Sequence, residues 1–108
     1  LPKNFERADV ITIDCSFISL RKIIPAAVAL LRGGGTLIAL IKPQFEAAKI
    51  EVDKGAGVIK DPAIHARVAN EMRAFVEDHG ELVWRGDVES PLTGPKGNKE
   101  FLAWIEKK

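Results

Sequence analysis

One cysteine in 108 residues excludes an internal disulfide and any multi-cysteine zinc or iron–sulfur site. A lone Cys15 fits a reducing compartment, and the cytoplasm is the expected location. A charge excess of one sign is also lacking: 16 Lys and Arg against 15 Asp and Glu leave a formal charge of +1. No global field would gather RNA or an anionic membrane, so such affinity must come from local patches. Long hydrophobic runs are missing as well. The most apolar stretch, Ile23 to Leu31, is far short of the ~20 residues a membrane span needs, and no signal peptide is expected before the domain pattern. The chain therefore reads as soluble, with no membrane partner. It carries no internal repeat and no low-complexity tract. What is present, 46% hydrophobic and 29% charged residues, suffices for one small core: a single domain, or part of one.

The hydrophobic pattern changes period along the chain. Val10-Ile11-Thr12-Ile13 is β-branched and continuous, as in a parallel strand buried on both faces. From Ser19, a plausible cap, Leu20, Ile23, Ile24, Val28, Leu30 and Leu31 suit a helix in which Pro25 either makes a kink or marks the start of the regular part. Gly33-Gly34-Gly35 is expected to stop that helix. Thr36 to Ile41 is a second strand, ended by Lys42-Pro43. Ala47 to Lys60 lacks a sustained period and reads as a mobile surface loop. Asp61 as cap, Pro62 in the first turn and the stripe Ile64, Val68, Met72, Phe75 and Val76 define the clearest helix, closed by Gly80. Leu82 to Trp84 with Val88, a proline- and glycine-rich turn over Ser90 to Asn98, and Lys99 to Glu106 suit an antiparallel hairpin. The class is α/β.

Three of these apolar runs meet a single charge at one end: Asp14 after the first, Lys42 after the second, Glu100 before the last. Open α/β sheets build their sites on the carboxyl-terminal rim of the strands. If the last strand runs antiparallel between the second and third, all three charges share that rim. They would form a row about 10 Å across with Lys42 in the middle, since neighbouring strands lie about 4.8 Å apart. Each also has an ordinary explanation. A strand-exit aspartate often caps the next turn, a rim lysine snorkels, and a glutamate at a strand start is commonly exposed.

Asp9 to Leu20 (DVITIDCSFISL), Leu37 to Glu46 (LIALIKPQFE), Gly57 to His65 (GVIKDPAIH) and Ser90 to Trp104 (SPLTGPKGNKEFLAW) resemble the hemolysin-A-like (TlyA) proteins of the FtsJ-like ribose methyltransferases. The four motifs stand in order at close to the family's intervals, and the resemblance covers nearly the whole chain from Asp9 onward. The resemblance implies a partial class I, Rossmann-like fold, with residues 1–108 supplying strands four to seven of the methyltransferase domain and no second domain. It implies methyl transfer from S-adenosylmethionine to a ribose 2′-hydroxyl of ribosomal RNA. The family's catalytic set is a lysine, an aspartate, a second lysine and a glutamate. Its last three members map onto Asp14, Lys42 and Glu100. The first lysine and the main cofactor loop belong to an upstream part, so activity of these residues alone is not expected.

On that resemblance Lys42 is the base, Asp14 orients it and borders the cofactor with Cys15 and Ser16, and Glu100 holds the lysines or the ribose. A lysine accepts a proton only when neutral, and flanking carboxylates favour its charged form; with only Asp14 and Glu100 beside it, Lys42 is expected to stay protonated here. Gln44, Phe45, Lys96, Asn98 and Lys99 are candidate RNA contacts. Phe45 reads equally as a stacking platform or as core, and Lys96, Lys99, Lys107 and Lys108 as a basic cluster or as solvated lysines. Cys15 reads as a buried structural cysteine, and Trp84 and Trp104 as core anchors. His65 and His79 have no clustered partner, so no metal site is expected. The competing function is a non-catalytic RNA-binding or assembly module that keeps the rim. A pore-forming toxin is disfavoured for want of any spanning segment. Val10 to Ile13, lacking its family neighbour strand, should form an open edge that invites self-association.

Overall fold

The computed structural model describes residues 4–108. Four strands, β1 (Ala8–Ile13), β2 (Leu31–Ile41), β3 (Leu82–Glu89) and β4 (Phe101–Lys107), form one sheet in the order β1-β2-β4-β3. β1 and β2 are parallel, joined through helix α1 (Leu20–Leu30), and β4 runs antiparallel to both β2 and β3. The last strand thus lies between the second and third, and β1 is an edge.

α1 begins where Ser19 Oγ accepts the Arg21 amide at 3.1 Å. Leu20, Ile24, Ala27 and Val28 bury its inner stripe, and Pro25 lies within the helix on its exposed side. The helix ends at Leu30, three residues before the glycine run expected to stop it. Lys107 explains the earlier end: its Nζ donates to the carbonyls of Val28 and Leu31, both at 2.8 Å, satisfying acceptors that a glycine cap would otherwise serve. The glycines instead form the irregular start of β2, where pairing jumps from Ala8 opposite Leu31 to Val10 opposite Thr36. A Cβ on Gly35 would stand 2.6 Å from Leu31 Cδ1, so the bulge admits no side chain there.

Ala47 to Lys60, expected as a loop, contains a helix. After the short α2 (Pro43–Glu46), α3 (Lys49–Lys54) buries none of its residues. It therefore leaves no apolar stripe in the sequence. Charge holds it instead: Glu51 accepts the Ala48 amide at 3.1 Å and pairs with Arg67 of helix α4 (Pro62–Asp78). Arg67 also meets Glu71 at 3.1 Å, which reaches Arg21 of α1 at 3.3 Å, so one ionic chain links three helices. In α4, Asp61 caps the Ala63 amide at 2.9 Å, Pro62 opens the first turn, and Val68, Met72 and Val76 are buried with Ile64 and Phe75 packed beside them.

The core lies on one face of the sheet, where Ile13, Leu37, Ile41, Leu82, Trp84 and Ile105 meet α1 and α4. The opposite face carries two cross-strand rows, Thr12-Ile38-Trp104-Gly86 and Leu40-Leu102-Val88. This second face is open: Trp104 is 48% exposed and Val88 63%. Trp104 is thus not a core anchor, because strand side chains alternate between faces and its neighbour Ile105, opposite Trp84, takes the inward position.

Candidate active site

The rim at the carboxyl ends of β1 and β2 gathers the three charges. Asp14 leaves β1, Lys42 leaves β2, and Glu100 precedes β4, whose Phe101 pairs with Ile41. Lys42 Nζ lies 2.6 Å from Asp14 Oδ1 and donates to Ser16 Oγ at 3.2 Å. The lysine side chain is 11% exposed and the aspartate 68%, so a largely buried lysine side chain meets an open carboxylate. It does not simply snorkel into solvent.

Glu100 is buried but does not complete a three-charge row. Among the described residues no ion pair joins it to Lys42; its Oε2 accepts from Gln44 Nε2 at 3.0 Å. Burial decides this, because a carboxylate withdrawn from water needs a donor and the neighbouring amide supplies one. The backbone of Gly94 closes over the pair so tightly that a Cβ there would stand 2.1 Å from Glu100 Oε2.

The candidate RNA residues divide. Asn98 is 2% exposed, and its side chain is consumed by backbone: Oδ1 accepts the Ile59 amide at 2.9 Å, and Nδ2 donates to the carbonyls of Gly57 (2.9 Å) and Pro95 (3.0 Å). It welds two loops together and presents no free amide group to a nucleotide. Lys96 lies on the surface with positive φ, its Nζ donating to the Ala56 carbonyl at 3.2 Å; Lys99 is exposed, 3.7 Å from Glu89. The supposed basic cluster is dispersed. Lys107 lies at the far end of β4, about 20 Å of strand rise from Phe101 at its start, and is committed to the end of α1.

Two residues of the rim were missed in the sequence. Glu46 binds the start of α1, taking the Ser19 hydroxyl and the Leu20 amide, both at 2.7 Å, and so docks α2 against α1 with a negative charge at a helix N-terminus. Phe17 has φ of 63° and is 90% exposed, its ring 5.0 Å from that of half-buried Phe45. An outlying backbone that holds an aromatic ring in water points to function. The only sequence signal was an apolar residue without a place in either periodicity. Phe17, Phe45, Gln44, Lys96 and Asn98 line a groove of about 470 Å³ beside the rim. Cys15 is a free, half-buried thiol packed against the core, less enclosed than expected. His65 is buried, Nε2 2.7 Å from the Ile59 carbonyl. Among the described residues no three His, Cys, Asp or Glu side chains are grouped to hold a metal, and no helix is long and apolar enough to cross a membrane.

Known proteins are similar to this chain in sequence and fold. Residues 2–107 match the FtsJ-like methyltransferase family. YqxC, a candidate rRNA methyltransferase of Bacillus subtilis (strain 168), is 44% identical over 103 residues, covering 94% of this chain and 36% of that protein. The 16S/23S rRNA (cytidine-2′-O)-methyltransferase TlyA of Mycobacterium tuberculosis is 40% identical over 101 residues, covering 92% of this chain and 36% of that protein. A candidate hemolysin of Lactococcus lactis of known structure superimposes with a TM-score of 0.89 at 37% identity, over 95% of this chain and 48% of that one. The chain thus spans a little over a third of these curated relatives, and its sheet is the corresponding part of a Rossmann-like methyltransferase fold. By its sequence match from residue 2 to 107, the chain belongs to the FtsJ-like methyltransferase family, in the branch of TlyA and hemolysin A.

Proposed function

We propose that the protein containing this chain transfers a methyl group from S-adenosylmethionine to a ribose 2′-hydroxyl of ribosomal RNA, and that these residues form the base-side half of its site. The observation that carries this reading is the Lys42–Asp14 pair, 2.6 Å apart on the strand-end rim, in a chain similar to a cytidine-2′-O-methyltransferase. A ribose hydroxyl is a poor nucleophile, so the reaction needs an aligned proton acceptor. Lys42 fits that role once it has shed a proton, with Asp14 and Ser16 fixing its direction. The open carboxylate of Asp14, with Cys15 and Ser16 following it, suits the cationic methionine end of the cofactor, which supplies an electrophilic methyl group. Glu100, held by Gln44, faces the same rim. A target base would stack on Phe17 and Phe45, with Lys96 and Lys99 near the RNA backbone.

The test uses the full-length protein with ribosomal RNA and a methyl-labelled donor. Lys42→Ala should lower transfer by about 10²–10⁴-fold, the usual contribution of a general base, with the fold retained by circular dichroism. RNA binding without donor binding or methyl transfer by the unaltered protein would sink the reading in favour of a non-catalytic module. Residues 1–108 alone should not turn over.

A further inference from the structure

Gln44 is 7% exposed, and its amide oxygen Oε1 is the rarer kind of group, a buried acceptor without a hydrogen-bond partner among the described residues. Which end of an amide carries oxygen is ordinarily ambiguous. Here Glu100 decides it, because a carboxylate accepts and only the NH₂ end can donate to it at 3.0 Å. Oε1 is therefore an acceptor of fixed direction, and Gln44 lines the groove that Phe17, Phe45 and Lys96 also border. A buried acceptor left unpaired is destabilising, an invitation to any ligand that brings a donor.

Resting on the reading above, we propose that Gln44 sets base specificity: Oε1 accepts a hydrogen bond from the exocyclic amine of the target base as that base enters between Phe17 and Lys96 and uncovers the oxygen. A free glutamine would read a base edge with both ends, amide NH₂ to a keto oxygen and amide oxygen to an N–H. Gln44 has only its oxygen to offer, because its NH₂ is committed to Glu100. The ring N–H of uracil, the one RNA base without an exocyclic amine, lies between two keto oxygens, so that edge would set oxygen against oxygen. An exocyclic amine, as on cytosine, adenine or guanine, meets the oxygen without that conflict.

The experiment uses the full-length protein and RNAs that differ only at the methylated position: cytosine, 2-pyrimidinone (the same ring without the amine) and uracil. The unaltered protein should lose about 10–100-fold in kcat/KM when the amine is removed, the range expected for one unmet buried hydrogen bond. Gln44→Met, similar in volume but without acceptor, should methylate the cytosine and 2-pyrimidinone RNAs alike. Indifference of the unaltered protein to the amine, a natural target base without one, or discrimination that survives in Gln44→Met would overturn the proposal while leaving ribose methylation standing. Failure to methylate any RNA would overturn both.

Discussion

At the scale of single residues, the site is held by groups whose roles are not interchangeable with their nearest chemical relatives. Gly94 needs its missing side chain because Glu100 occupies the space a Cβ would take. Gly94→Ala should push the carboxylate off Gln44, lowering methyl transfer by the full-length protein about tenfold or more, and lowering the melting temperature as well because a buried carboxylate loses its donor. Equal activity in both forms would mean that the Glu100 position is unimportant. Asn98 is the opposite case, a polar residue whose side chain serves the fold. Its three hydrogen bonds to backbone predict that Asn98→Ala costs about 3 kcal/mol in urea denaturation, since each orphaned buried group carries its own desolvation cost. Asp14 and Lys42 were legible in the sequence because a charge closing an apolar run is conspicuous. The backbone contacts of Asn98 were not legible, because nothing in sequence distinguishes an amide aimed at a ligand from one aimed at a neighbouring loop.

At the scale of elements, α3 depends on ionic contacts and should behave accordingly. The Arg67 guanidinium bonded to Glu51 holds that carboxyl below its ordinary value, and the arginine is correspondingly raised. A depressed carboxylate stabilises the folded state above its unfolded pKa of about 4.5, and that contribution is lost as pH falls through the lower folded value. Amides of α3 should therefore lose hydrogen-exchange protection on acidification below about pH 4.5, ahead of those in α4, and at any pH in Glu51→Gln. Simultaneous loss in α3 and α4 would show that packing, not this pair, docks the helix. The strands and α4 were readable because burial imposes a period on them. α3 was not, because an element that buries nothing writes no period, and the early end of α1 was hidden because its cap, Lys107, arrives from 76 or more residues away.

At the scale of the whole molecule, one face of the sheet is packed and the other is bare. Parallel strands are normally covered on both sides, and here Ile38, Leu40, Leu102, Val88 and Trp104 meet no helix among the described residues, next to the unpaired edge of β1. The isolated chain should self-associate through that edge and face, with sedimentation showing species larger than 11.8 kDa that Trp104→Lys reduces. A monomer at high concentration, in the unaltered chain, would rule this out. The order of the strands was recoverable from the sequence, whereas the bare face was not: a run such as Thr36 to Ile41 looks the same whether one side is covered or both.

The two tryptophans divide between these faces, Trp84 8% exposed within the core and Trp104 48% exposed on the open side. With no tyrosine in the chain, ultraviolet emission comes almost wholly from this pair. A soluble quencher such as acrylamide should extinguish the red-shifted light of Trp104 and spare the blue-shifted light of Trp84. Whatever settles on the bare face would shield the first and leave the second unchanged, so the molecule carries its own optical report of when that face is covered, with the buried ring as internal reference.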